Sequence, residues 1–479
     1  MVFLGENNAI NTDSLASTLA RTWYLPMKEE VTEYGLCLPE LVEKDLTYFL
    51  LGALAAPPLE KIDSLRKVRP RNSLHDVLKI IFSSLCPKFV RTKGRSKILY
   101  AGNPKSFLPL MTATGGIYFD KILSVSWFEE FKRAGICQRS RFDYFRFEDV
   151  YRAFKMKVRL KKLWRRIQSG NGIDDRLRPA VGYLLTRHFP ELTYHLFATE
   201  RMLQREKPDW VLVDEDRTEE KRMLIALAKK RGIQSAVFMH GAPTRWIGFA
   251  PLFADYFITW GEAYIPRLVE WGIPQNRILV GGSPLHEQIK KDFKGREQEL
   301  KDRYGIPPSK KVMLLALNIY RGKPSEDLQG QSISEGQMKM AFDAAVACLS
   351  DGFLVVKPHP RDPNKNKVKE WVRDCRNPHI IYSEGDIFEL ICLSDFVLSP
   401  GSTVLLDAVY FRKKAVVLDF FHLPWFDYME EGLFFRAKDR GELDSILRCR
   451  HTVEDSAVGR YFADRPMERI LNFFDGFPR

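Results

Sequence analysis

The sequence predicts an α/β protein of two successive domains, each a parallel sheet with helices, facing each other across a cleft. Two observations point there. Short β-branched or aromatic runs recur in regular order with helical patterns between them, the βαβ alternation of a parallel sheet. This series also occurs twice, on either side of a charged stretch carrying Tyr304-Gly305-Ile306-Pro307-Pro308. At 479 residues the chain is too long for one ordinary core.

Taken in order, residues 1–94 read as a helical N-terminal segment, with helices over 12–33, 38–55 and 73–85 broken by prolines. The first domain spans 95–288. Its strands are expected at 98–101, 122–125, 210–213, 235–238, 256–259 and 277–280, with a helical insertion over about 144–204 and a helix over 219–231. Residues 289–310 read as the linker. The second domain, 311–450, alternates strands at 312–317, 353–356, 380–381, 396–398 and 415–418 with helices at 335–349, 365–375, 387–393 and 402–411. Helices at 441–447 and 466–474 close the chain, the latter within a C-terminal segment of 451–479. No period of 20–50 residues repeats, so a solenoid is excluded.

Composition narrows the class. Apolar residues make up 45% and charged residues 28%, as in a globular protein, and 12% aromatics argue against extensive disorder. The N-terminus has neither a basic region nor a long apolar core, so no signal peptide is expected. No run approaches the roughly 18 apolar residues of a membrane span. Cysteines 37, 86, 137, 348, 375, 392 and 449 are scattered, never in CxxC spacing, which speaks for a reducing cytoplasm and against disulfides or a zinc site.

The net charge of +13 is concentrated in residues 152–166, with smaller clusters at 66–71 and 91–97. In the first of these Phe154, Val158, Leu160, Leu163 and Trp164 lie among the cations. The plainer reading is a solvated helix face; the functional one is a basic amphipathic surface resting on anionic lipid, with Val158, Leu163 and Trp164 beside the cations. No helix-turn-helix, zinc finger or RNP-type motif accompanies the charge, so nucleic acid is not the expected partner.

Two strand ends of the second domain carry the chemistry. One runs into Lys357-Pro358-His359-Pro360-Arg361, the other into Ser399-Pro400-Gly401-Ser402-Thr403, where a helix begins at once. A helix start offers unpaired N–H groups and partial positive charge, and ligands of open α/β sheets sit at the carboxyl ends of strands. The inferred ligand is a phosphate-bearing nucleotide. His359 can donate to phosphate oxygens as charge builds there, while Lys357 and Arg361 neutralise it without metal. Gly401 permits close backbone approach, Ser399, Ser402 and Thr403 supply hydroxyls and N–H groups, and Asp407 lies within reach of a ribose. The bland alternatives are a strand terminated by prolines, a plain N-cap and a polar helix position. In the first domain, Asp214-Glu215-Asp216 and His240-Gly241 end neighbouring strands. Glu215 and Asp214 are candidate general bases, with His240 as partner or acceptor ligand; a solvated acidic turn is the competing reading. P-loop, GxSxG and HExxH motifs are absent, as is the GxGxxG of dinucleotide sites, and no metal is expected.

KPHPRD followed by SPGSTVLLDA, with MHGAP upstream, resembles the GT-B enzymes of bacterial surface-polysaccharide synthesis. These include capsule and Kdo-type transferases, polysialyltransferases and CDP-glycerol glycerophosphotransferases. Their His-Pro motif is matched by His359 and Pro360, their Ser/Thr-rich loop by Ser399, Ser402 and Thr403, and their His-Gly by His240 and Gly241, with Met239 where Gln is common. The likeness covers about 205–420. It implies a GT-B-like fold of two Rossmann-like domains. It further implies metal-independent transfer of a sugar or alditol-phosphate from a CMP-, CDP- or UDP-linked donor to a glycan or polymer acceptor. The protein would then be cytoplasmic and peripheral at the inner face of the membrane. Asp216 is followed by Arg217, so the acidic motif of polysialyltransferases is missing. The non-hydrolysing UDP-N-acetylglucosamine 2-epimerases offer an alternative within the same fold, although no glutamate lies between Ser402 and Tyr410. A non-catalytic nucleotide-binding or membrane-surface scaffold is the third reading.

Overall fold

A computed structural model describes residues 23–33, 35–43, 98–120, 131, 134–169, 178–243, 249–318, 334–360, 362–420, 433–449 and 455–476. A short antiparallel pair, β1 (Thr32–Glu33) and β2 (Leu36–Cys37), precedes two large parallel sheets. The first holds β3 (Ile98–Ala101), β4 (Ile117–Asp120), β5 (Cys137–Ser140), β6 (Trp210–Val213), β7 (Gln234–Phe238), β8 (Tyr256–Thr259) and β9 (Ile278–Val280), in the order β5-β4-β3-β6-β7-β8-β9. The second holds β10 (Lys311–Ala316), β11 (Gly352–Lys357), β12 (Ile380–Tyr382), β13 (Phe396–Ser399), β14 (Lys414–Leu418) and β15 (Phe435–Ala437), in the order β12-β11-β10-β13-β14-β15.

Both sheets start in the middle, step to one side, then cross back past the first strand. Each therefore has a switch point, between β3 and β6 and between β10 and β13, where open sheets leave a crevice beyond the strand ends. The central strands are apolar because helices cover both faces: every residue of β3, β6, β11, β13 and β14 is buried.

The expected two-domain α/β fold is present, with differences at its margins. The strand beside β3 is β4 at Ile117–Asp120; residues 122–125 lie outside the described residues. Strands β5 and β15 were not foreseen. Both are edge strands with mixed sequences, CQRS and FRA, and so lack the apolar signature of a covered strand. The helix expected over 12–33 does not run through 23–33, which forms a 3-10 turn at Leu25–Met27 and then β1. Residues 23–43 belong to the first domain's core, with Val31, Leu38 and Leu41 buried. Arg222, buried beneath Phe253 at 4.6 Å, donates to the Glu40 carbonyl at 2.6 Å. Of the helix expected over 38–55, Leu38–Leu41 is helical and 44–55 lies outside the described residues, as does the helix expected over 73–85.

Much of the stretch expected as a linker is helical, in Pro284–Phe293 and Glu297–Arg303. The chain also crosses back at its end. Phe462 stacks on Trp260 at 5.6 Å, and the helix Pro466–Asp475 sets Phe473 and Phe474 against Trp210 at 5.2 and 5.1 Å. No helix among the described residues is long and apolar enough to cross a membrane.

Candidate functional site

In the second domain the switch point lies between the ends of β10 and β13. Ser399 is buried there, and Gly401, at φ 149°, holds a backbone conformation that side-chain-bearing residues rarely adopt. Asn318, the second residue after β10, fixes the loop by donating from Nδ2 to the Gly401 carbonyl at 2.7 Å, and Ser399 donates to Asn318 Oδ1 at 3.5 Å. Ser402 Oγ accepts from the Val404 N–H at 3.4 Å, opening the helix Val404–Tyr410, while Thr403 is exposed and makes no side-chain cap bond. The Gly401 carbonyl is thus the loop's anchor to Asn318, and Thr403 is exposed beside it.

Beyond β11, Pro358 is buried and His359 half-buried, its carbonyl accepting from the Asp362 N–H at 2.9 Å. Arg361 lies outside the described residues. Lys357 does not face solvent as a cation for phosphate. Its side chain is buried, and Nζ donates to the Gly385 carbonyl at 2.6 Å, bracing the turn before the helix Ile387–Leu393. Burial lowers its pKa, against the attraction of Asp386 and Glu384.

The first domain's acids are also committed within the fold. Asp214 accepts from the Asn103 N–H at 2.8 Å and from Lys221 Nζ; Gly102 makes this possible, since a Cβ there would stand 2.3 Å from the Asp214 carboxyl carbon. Glu215 accepts from Lys221 at 3.2 Å and pairs with Arg217 at 3.6 Å. Asp216, 1% exposed, accepts from the Phe253 and Ala254 N–H groups at 2.5 and 3.4 Å. Burial depresses the Lys221 pKa, but Asp214 and Glu215 outweigh it and hold the amine above the usual lysine range. His240 differs from these acids. It is exposed after β7, stacked on Phe249, with Nδ1 2.6 Å from the Asp214 carbonyl. A carbonyl only accepts, so Nδ1 carries the proton and Nε2 of the neutral ring is bare.

The two strand-end loops meet. A Cβ built on Gly241 would lie 3.7 Å from Thr403 Cγ2, and Lys105 pairs with Asp386 across the same gap at 3.5 Å. Asp407 is turned elsewhere: its Oδ1 lies 2.7 Å from Nε2 of His286, whose Nδ1 lies 2.6 Å from Ser283 Oγ. A carboxylate only accepts, so His286 donates to Asp407, and in the neutral ring Ser283 donates to Nδ1. His286, 2% exposed, sits among rings from both halves: Trp260 at 5.0 Å, Tyr410 and Phe462 at 5.1 Å, and Phe388 at 6.1 Å. Neither His286 nor Asn318 was singled out from sequence. The one available signal was Ser283-Pro284, a helix start that places His286 in the first turn. Among the described residues no group of three His, Cys, Asp or Glu is arranged to hold a metal ion.

No protein-family model matches the chain, and no curated protein matches it. Solved structures do. UDP-GlcNAc 2-epimerase from Methanocaldococcus jannaschii superposes with a TM-score of 0.52 at 15% identity, over 80% of this chain and 100% of that one. The Neisseria meningitidis UDP-GlcNAc 2-epimerase bound to UDP-GlcNAc gives 0.50 at 12% identity, over 80% and 100%. The S. aureus MnaA-UDP co-structure gives 0.50 at 15%, over 80% and 96%. At these identities the likeness is one of fold: the chain has the GT-B-like, two-sheet architecture of these enzymes.

Proposed function

We propose that the protein is a nucleotide-sugar enzyme that binds a nucleoside-diphosphate sugar between its domains and acts on it as a 2-epimerase does, without an acceptor. The observation carrying this reading is the meeting of two strand-end loops, one from each domain, Thr403 beside Gly241 with the bare Nε2 of His240 next to them. The reading is supported by the similar folds, which are UDP-GlcNAc 2-epimerases, one of them bound to UDP-GlcNAc. The phosphates would lie against the N–H groups and hydroxyls of Ser402 and Thr403, with His359 and Arg361 meeting the charge that develops on a departing diphosphate. His240 Nε2 would take the proton from C2 as the C1–O bond to the diphosphate breaks; a solvent-derived proton then adds to C2 from the opposite face as the retained diphosphate re-forms its bond to C1. Asp214 and Glu215, held by Lys221, would position His240 rather than act as bases. No step in this scheme uses a metal, so activity should survive EDTA.

A second reading, transfer of the activated group to a glycan acceptor, is favoured by one observation: the basic and aromatic outer face of the helix Phe147–Gln168, which suits an acceptor carried at a membrane. Two measurements separate the readings. Calorimetric titration with UDP, CDP, CMP and GDP should show binding of a pyrimidine nucleotide; binding of none overturns both. Incubation with UDP-N-acetylglucosamine in deuterated water, without acceptor, should yield the 2-epimer with deuterium at C2. Nucleotide release only on addition of an acceptor glycan would replace the first reading by the second.

A further inference from the structure

The helix Phe147–Gln168 carries eight Lys or Arg against two carboxylates, and it has two apolar faces. One is structural: Ala153, Met156, Leu160 and Leu163 are buried. Trp164 belongs to this side, since a Cβ on Gly182 would stand 2.7 Å from its ring, so Leu163 and Trp164 leave the lipid-facing set expected from sequence. The other face consists of Phe147, Val150, Tyr151, Phe154 and Val158, at i, i+3, i+4, i+7 and i+11, a single stripe of an α-helix. Phe147 is 89% exposed, Phe154 61% and Tyr151 60%. Among the described residues, five of the eight exposed large hydrophobics lie on this one helix.

The inner face fixes the rotation of the helix, so the outer stripe cannot turn inward. Arg159 pairs with Glu33 at 3.0 Å and Arg166 with Glu30, which pins the helix to the N-terminal segment. Lys155, Lys157, Lys161, Lys162 and Arg165 are exposed along the stripe and its continuation, with Lys155 over the Tyr151 ring at 4.5 Å. Aromatic and branched side chains bordered by cations on a helix lying flat against its domain match the chemistry of an anionic bilayer surface. The rings enter the acyl boundary, and the long basic side chains reach headgroup phosphates.

We propose that this face docks the first domain on an anionic lipid surface, with Phe147, Tyr151 and Phe154 inserted and Lys155, Lys157, Lys161, Lys162 and Arg165 on the headgroups. The proposal is independent of the ligand in the cleft. The test is co-sedimentation of the full chain with phosphatidylglycerol vesicles and, separately, phosphatidylcholine vesicles, over a salt series. Binding is expected to the first only and to weaken with salt. Each cation removed should lower the partition coefficient about five-fold, so Lys157→Glu/Lys161→Glu/Lys162→Glu should lower it a hundred-fold or more. Phe147→Ser/Phe154→Ser should lower it about ten-fold or more. Because these side chains are exposed, the melting temperature and nucleotide binding of both variants should match wild type. Equal binding to both lipids, binding unchanged in the variants, or no binding at all overturns the proposal. So does a dimer in solution that Phe147→Ser/Phe154→Ser converts to monomer, which would make the stripe an interface between copies of this chain.

Discussion

The two switch points handle their polar residues in opposite ways. In the first domain Asp214, Glu215 and Asp216 are all committed, to Lys221, Arg217 and backbone N–H groups, while His240, after the neighbouring β7, stands exposed. In the second Asn318 anchors the loop at the Gly401 carbonyl, with Thr403 exposed and His359 half-buried. An acidic strand end is thus a framework here, whereas the small-residue loop keeps Thr403 exposed. Acids at a strand end say little until their cations are located.

The largest expected effect separates these roles. His359→Ala should lower kcat by about 10²–10⁴-fold while leaving the melting temperature near wild type. A fall in melting temperature with unchanged turnover per folded molecule would erase the contrast. Asp214→Ala should do the reverse. It removes one of the two carboxylate partners of Lys221, leaving Glu215 at 3.2 Å, and the acceptor of the Asn103 N–H, at a cost of about 1–3 kcal/mol in unfolding free energy. Urea denaturation measures it. The raised Lys221 pKa adds a sign: its contribution is fully present below the ordinary lysine range and is lost only as pH climbs through the raised value. Smallest are Ser402→Ala and Thr403→Ala, which should weaken nucleotide binding by about 0.5–1.5 kcal/mol each, as titration calorimetry would show, with stability unchanged for Thr403→Ala, which makes no cap bond.

The sheets were legible because a strand covered on both faces must be apolar, as in β6 and β13, and because each ends in small or polar residues. The mixed edge strands β5 and β15 carried no such mark. Ser399, Gly401, Ser402 and Thr403 were legible as a loop entering a helix. Lys357 misled, since a lysine at a strand end reads alike whether it faces a ligand or a carbonyl such as that of Gly385. On the basic helix the charge was visible, but which apolar residues faced outward depended on the packing of Trp164 against Gly182. Asn318 and His286 escaped because their partners, Gly401 and Asp407, lie 83 and 121 residues away.

The Ser283–His286–Asp407 chain has a mechanical consequence. It ties the first crossing helix to the helix that follows the Ser402-Thr403 loop, within a cluster of rings drawn from both domains and from the returning C-terminal segment. A rotation of one domain on the other would have to bend or break this chain, because its two ends lie on different domains. Asp407 lies one turn beyond Thr403, so the same chain also anchors the start of the helix whose loop stands opposite Gly241.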